Sequence, residues 1–305
     1  MHSTCTDEGV SYDLVRCKCC NVVVLWPPPS ADELRRAYSD VYYGSDATKF
    51  SSPIEIMVDH FRRRRAKRLA KLLGRPGRAL DIGCGNGKFL GFLQSEGFQI
   101  FGSELPGKAF ERASKIPGIH LTQGELQASD YEEGMFDLVT MWHVFEHLDR
   151  PADTVRTISR IVSHGGLVSL SVPNFESLQR SIFRGNWFHL DPPRHLFFMG
   201  PEEIEKTFSD IGFRLVSVSH FSFEHNLFGV LQSLLNTFIT KRDSLYDYLK
   251  FAGDQGRASE NEGRFSFYAQ MSIAAMALPA AAAFCTVEAA AGRGGTVEFV
   301  FEKTT

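Results

Sequence analysis

An α/β fold carrying a seven-stranded sheet is predicted for this 305-residue chain, and two observations predict it. From residue 78 onward short apolar runs alternate with amphipathic stretches, the pattern of a parallel sheet covered by helices on both faces. The first of those runs leads directly into a glycine-rich loop, Gly83-Cys84-Gly85-Asn86-Gly87, which opens a helix.

The elements follow in order. Ser30 and Glu33 have the spacing of a capping box and announce a short helix. Ser52-Pro53-Ile54-Glu55 announces a second, with proline at its first position, running to Leu73 and closed by Gly74. Arg78–Ile82 is a buried strand and Lys88–Ser95 a helix. Strand Phe98–Gly102, a helix near 107–114 and strand Ile119–Thr122 come next. Phe136–Met141 is the fourth strand, 151–162 a helix and Leu167–Val172 the fifth strand. A helix over Pro201–Ile211 closes at Gly212, and Phe213–Val218 is the sixth strand. Residues 222–295 break the rhythm: a helix over 226–240, a polar loop over 253–263 and an Ala-rich helix over 271–291. Thr296–Phe301 alternates as the seventh strand. Three parts are therefore expected: a Cys-bearing segment over 1–50, a catalytic domain over 51–221 plus 296–305, and a helical insertion over 222–295.

Composition narrows the class. Hydrophobic residues make up 43% and charged residues 23%, which excludes disordered and collagen-like chains. A net charge of −3 gives no sign of a polyanion binder. A chain this long buries about 75% of its unfolded surface without disulfides. Of six cysteines three crowd into 17–20, unlike secreted pairing, and Met1-His2-Ser3-Thr4 has no leader pattern. A reducing, cytoplasmic setting is expected.

The glycine loop carries the sharpest signal. Glycines let the chain turn tightly and let a ligand approach the backbone. A dinucleotide fingerprint is the competing reading, but Lys88 stands where its third glycine belongs, and Asp81 two residues before the first glycine is no part of it. Glu104 ends the second strand, 23 residues after Asp81, where a carboxylate accepts both hydroxyls of a ribose.

These residues, together with Gly124-Glu125-Leu126, Phe136-Asp137-Leu138-Val139, His143 through Leu148, and Gly165-Gly166 running to Val172-Pro173-Asn174, resemble class I S-adenosylmethionine-dependent methyltransferases. The resemblance is to the branch of ubiquinone-biosynthesis O-methyltransferases and bacterial sugar and polysaccharide-cluster methyltransferases. It implies a Rossmann-like seven-stranded sheet. It also implies that Asp81, Gly83, Gly85 and Gly87 hold the methionine end of S-adenosylmethionine and Glu104, with Leu105 beside it, the ribose. Glu125 and Leu126 would flank adenine, and Met141 and Trp142 would pass beside the sulfonium. Ordinary core is the plainer reading of Met141 and Trp142.

Methyl transfer from a sulfonium needs alignment of donor and acceptor more than activation. A hydroxyl acceptor also needs a base for its proton, a task suited to histidine near neutral pH. Candidates are His143 and His147 after the fourth strand, and His195 in Asp191-Pro192-Pro193-Arg194-His195. The stretch Asn186–His195 is expected to line the acceptor pocket. Asp191-Pro192-Pro193 sits after the fifth strand and is followed by Arg194 rather than an aromatic residue, which disfavours a nucleic-acid acceptor. A small-molecule or carbohydrate-type acceptor, methylated at oxygen, is expected; a silent cofactor-binding protein of the same fold stands as the alternative.

Three features lie outside the core argument. His2, Cys5, Cys17 and Cys20 have the spacing of a zinc site, against unliganded thiols, and the resembling branch includes members with an N-terminal zinc knuckle. Arg62 through Arg65, with Lys67, Arg68 and Lys71, make a basic helix, read as a solvated surface or as an attraction for an anionic acceptor or membrane. The Ala-rich 271–291 stretch, with Pro279 in its middle, is expected to fall short of a membrane span and reads as a lid or homodimer face, or as peripheral contact with lipid.

Overall fold

The computed structural model describes residues 4–7, 10–38, 52–251 and 262–304. His2 and most of the polar 253–263 loop lie outside them. The chain divides into two compact units, one of residues 1–55, 173–201 and 219–297, the other of 56–172, 202–218 and 298–305.

The second unit carries the sheet. Its strands are β4 (Arg78–Ile82), β5 (Gln99–Glu104), β6 (His120–Gln123), β7 (Phe136–Trp142), β8 (Val162–Pro173), β10 (Phe213–Ser219) and β11 (Thr296–Lys303), in the spatial order β10-β11-β8-β7-β4-β5-β6. β4 pairs in parallel with β5 and β7, β5 with β6 and β7 with β8. After its exposed first residue β4 is buried throughout, as a strand covered on both faces must be. Helices α2 (Ser52–Leu73), α3 (Lys88–Ser95), α4 (Lys108–Ala113), α5 (Pro151–Ile161) and α7 (Pro201–Ser209) connect the strands. Ala66 and Leu69 of α2, Phe89, Leu90 and Leu93 of α3, and Leu80, Ile100 and Leu138 of the sheet are buried. α2 stops where expected, its last turn closed by the Gly74 amide donating to the Ala70 carbonyl. β8 begins five residues earlier than its apolar run, because Phe136 pairs with Val162 across a bulge.

The first unit contains an antiparallel sheet that the sequence reading missed: β1 (Thr4–Asp7), β2 (Val10–Arg16), β3 (Val23–Trp26) and the two-residue β9 (Phe197–Phe198), in that order. Leu14 lies opposite Leu25, and Val23 opposite Phe198. Alternation puts Tyr12, Leu14, Val23 and Leu25 on one face, packed with Trp187, Leu190 and Phe198. Helix α1 (Ala31–Ala37) carries the expected capping box, and the Tyr12 hydroxyl donates to Glu33 at 2.9 Å.

Helices α6 (Leu178–Phe183), α8 (Phe228–Phe238), α9 (Ser244–Phe251) and α10 (Glu262–Ala290) complete this unit. The helix expected over 226–240 is a π-turn over Phe223–Leu227 followed by α8, and α9 was not expected. α10 packs Ala274, Ala281 and Cys285 inward. It leaves Tyr268, Met271, Met276, Leu278 and Val287 exposed, Met276 at 76%. Its stretch Ser266–Ala290 is long and apolar enough to cross a membrane.

Candidate active site

β4 delivers Asp81 and the glycine loop to the carboxyl edge of the sheet, where open α/β sheets bind ligands. Gly83 has φ +66°, and a Cβ there would lie 2.6 Å from Cγ2 of Val144. Only glycine lets the loop lie this close to the segment after β7. At Gly85, φ +58°, a Cβ would meet no protein atom within 4 Å, so this turn faces open space.

Two buried carboxylates flank the loop. Asp81 accepts a hydrogen bond from the Thr140 hydroxyl at 2.6 Å. Burial lifts its pKa to about 7; the Thr140 hydrogen bond opposes the rise, the Glu104 charge adds to it, and the Arg65 and Arg62 guanidiniums oppose it. Glu104 Oε2 accepts the Gly85 amide at 2.6 Å and Oε1 the Leu105 amide at 3.0 Å. Burial also raises the Glu104 pKa, against those two amides. Two buried carboxylates with raised pKa values beside a glycine turn make this edge a candidate site.

The segment after β7 supplies the histidines. His143 has φ +54°, a conformation unusual outside glycine, and its amide donates to the Ser171 carbonyl. Its Nδ1 lies 3.4 Å from Oε1 of the buried Glu146, and its Nε2 3.4 Å from the Ser171 hydroxyl. His147 is half-buried at the end of the turn Phe145–His147. Met141 is completely buried, the plainer of its two readings, while Trp142 is half-buried with the Arg65 guanidinium 4.2 Å from its ring centroid. Leu126 is buried, and Glu125 and Leu105 are exposed.

The sequence reading missed Thr140, Glu146, Arg62 and Arg65. Thr140 carried no motif signal, and Glu146 stood within the His143–Leu148 stretch without a role of its own. The arginines were hidden in a basic run that the structure resolves residue by residue. Arg62 pairs with Asp59 at 2.7 Å, Arg68 with Glu298 at 2.6 Å, and Arg63 lies over Phe92. Lys88, the residue after the loop, reaches Asp59 at 3.2 Å.

The remaining candidates lie in the first unit. His195 is buried, its Nδ1 2.8 Å from the His189 carbonyl and its Nε2 3.8 Å from Asp191. Trp187 and Leu190, expected at an acceptor pocket, are wholly buried core residues of that unit. Of the zinc set, His2 lies outside the described residues, and the Cys5 backbone is paired opposite Tyr12 on β2, the strand that ends just before Cys17. Cys17, Cys19 and Cys20 are exposed thiols of the turn after β2, and the Cys19 amide leads the groups that lower the Cys17 pKa.

A turn open at Gly85, a strand-end glutamate bonded to its amide and a buried aspartate before it are residues that fit S-adenosylmethionine, and the fold is that of the class I S-adenosylmethionine-dependent methyltransferases. Residues 58–218, just over half of the chain, match a family described as "Methyltransferase domain", and the chain belongs to that family. A ubiquinone biosynthesis O-methyltransferase of Aromatoleum aromaticum is 34% identical over 105 residues, 32% of this chain and 44% of that protein. The same enzyme of Azoarcus is 29% identical over 160 residues, 47% and 66% respectively, so the match spans less than two thirds of these relatives. A solved S-adenosylmethionine-dependent methyltransferase of Archaeoglobus fulgidus shares the fold with a TM-score of 0.50, at 19% identity over 80% of this chain and 94% of that one.

Proposed function

We propose that the protein methylates a hydroxyl oxygen of a small-molecule acceptor, with His143 as the base. The observation that carries this is the His143 environment: a backbone held at φ +54° beside the glycine loop's neighbour Val144, with the buried Glu146 carboxylate at Nδ1. The relatives' O-methyltransferase names support oxygen as the receiving atom.

When bound, S-adenosylmethionine supplies a methyl group already activated on a sulfonium. Asp81 and the loop Gly83–Gly87 bind its methionine portion, Glu104 and Leu105 its ribose, and Glu125 and Leu126 its adenine. Trp142, braced by Arg65, closes one wall. Glu146 favours the proton on Nδ1 of His143, so Nε2, 3.4 Å from the Ser171 hydroxyl, is the nitrogen that accepts the proton of the acceptor hydroxyl, in place of that contact, as the oxygen takes the methyl. His147 and His195 are the other two imidazoles proposed for the acceptor side.

The test is methyl transfer from labelled cofactor to catechol-type and sugar hydroxyl acceptors. Turnover by the native protein that falls by about 10²–10⁴ in His143→Gln, with cofactor affinity kept, is expected. Full turnover in that variant removes His143 from the reaction. An outward face of α10 bearing Tyr268, Met276 and Val287 also supports peripheral contact with lipid, which flotation of the protein with phosphatidylcholine vesicles and its loss in Met276→Glu would check.

A further inference from the structure

Asp81 and Glu104 both lie at the carboxyl edge of the sheet, within the second unit, yet they are held in different ways. Glu104 is fixed by main-chain amides, those of Gly85 and Leu105. Asp81 is fixed by a side chain. β4 and β7 pair in the register that sets Asp81 beside Thr140, so the two side chains leave the sheet on the same face. The Thr140 hydroxyl donates to Asp81 Oδ1 at 2.6 Å, a short bond of the charge-assisted kind. Its contact with the Leu80 carbonyl is long, at 3.4 Å. Thr140 is wholly buried, and so are its apolar neighbours along β7, Leu138, Val139 and Met141. A hydroxyl in that setting costs free energy unless it is bonded, so valine is the residue that packing alone would favour here. What the hydroxyl supplies is the contact with Asp81.

We propose that Thr140 is a positioning residue for the methionine end of the cofactor: its hydroxyl occupies Oδ1 of Asp81 and turns Oδ2 toward the ligand's α-ammonium. The proposal rests on Asp81 binding the methionine portion. An unrestrained carboxylate rotates broadly about its last bond and presents either oxygen. One hydrogen bond at Oδ1 removes that freedom, so the ligand meets an oxygen that is already aimed. Donation also favours the ionised carboxylate, the form that an ion pair with an ammonium needs. Burial raises the Asp81 pKa, and the Thr140 hydroxyl leads the groups that oppose the rise. Arg65 and Arg62 oppose it too, but each has another partner: Arg65 lies over Trp142 at 4.2 Å, and Arg62 pairs with Asp59 at 2.7 Å. Threonine suits this task better than serine, because its β-branched side chain restricts χ1 and holds the hydroxyl in place.

Calorimetric titration of the full chain with S-adenosylhomocysteine and with methylthioadenosine tests the proposal, at pH 8 so that Asp81, with its pKa of about 7, is ionised. Methylthioadenosine keeps the adenine, ribose and sulfur and lacks the amino-acid end. Thr140→Val keeps the side-chain shape and removes the hydroxyl. It should bind S-adenosylhomocysteine about tenfold more weakly and methylthioadenosine within about twofold of the native protein. Thr140→Ser restores the hydroxyl and should bring S-adenosylhomocysteine back to within about threefold of native. In an Asp81→Asn background Thr140→Val should add no further loss, because the hydroxyl acts through that carboxylate. Thr140→Ala should give the same split between the two ligands, and serves should the valine variant not fold. Native S-adenosylhomocysteine affinity in both Thr140→Val and Thr140→Ala, equal weakening of both ligands, or a loss that persists in the Asp81→Asn background overturns the proposal and leaves the cofactor reading standing. A native protein that binds no S-adenosylhomocysteine overturns the cofactor reading, and this proposal with it.

Discussion

Asp81 works against the stability of the fold it serves. Its carboxyl has a pKa of about 7 when folded and 3.8 in its ordinary state. The folded state therefore holds a proton that the unfolded chain gives up, across the window from about pH 4 to pH 7. Stability on this account is greatest below that window and is lost as pH rises through 7, by roughly 4 kcal/mol at the upper limit. Asp81→Asn should melt several degrees above the native protein at pH 8 and converge with it near pH 4, while its cofactor affinity drops. Equal melting at pH 8 would show that Asp81 is not held in this way. At Glu104 the balance differs, since two amides depend on it. Glu104→Ala should weaken S-adenosylhomocysteine binding by about 10- to 100-fold in calorimetry, as two charge-assisted bonds are lost. Gly83→Ala adds a Cβ within 2.6 Å of Val144 at a positive φ, and should cost about 1–3 kcal/mol in denaturant unfolding along with cofactor affinity.

At the scale of elements, legibility followed the range of the interactions. The glycine loop, the capping box of α1 and the ends of α2 were readable because each is decided by residues within a few positions of one another. β9 was not, being two phenylalanines whose strand character exists only opposite Val23 and Val24. The core roles of Trp187 and Leu190 were hidden for the same reason, since a Pro- and His-rich stretch looks like a pocket until its partners on β2 and β3 are known. Arg62 and Arg65 were illegible as site residues because four consecutive arginines look alike in sequence and differ only in what they face. One of those contacts is testable at this scale. Glu298 on β11, itself 17% exposed, holds the half-exposed Arg68 at 2.6 Å and Arg65 at 3.7 Å. Glu298→Ala should lower unfolding stability by about 1–3 kcal/mol, because two guanidiniums lose a half-buried partner. A change under about 0.5 kcal/mol would mark the pair as surface decoration.

For the whole molecule, the division into two units has a calorimetric signature. The glycine loop belongs to the second unit alone. S-adenosylhomocysteine at a hundred times its dissociation constant should stabilise that unit by about 2.7 kcal/mol. Two heat-absorption peaks are expected, of which the cofactor moves one. A single peak that moves as a whole would show that the units unfold together.

The four-stranded sheet of the first unit has a consequence in time. β3 is complete once residue 26 exists, but its neighbour β9 is about 175 residues further along the chain. A ribosome adding roughly 5–20 residues per second takes about 10–35 s to cover that distance. Through that interval Leu14, Val23 and Leu25 have neither Phe198 nor Trp187 to cover them. Synthesis of this protein therefore has a built-in waiting period, and chaperone demand should depend on translation speed between residues 26 and 198.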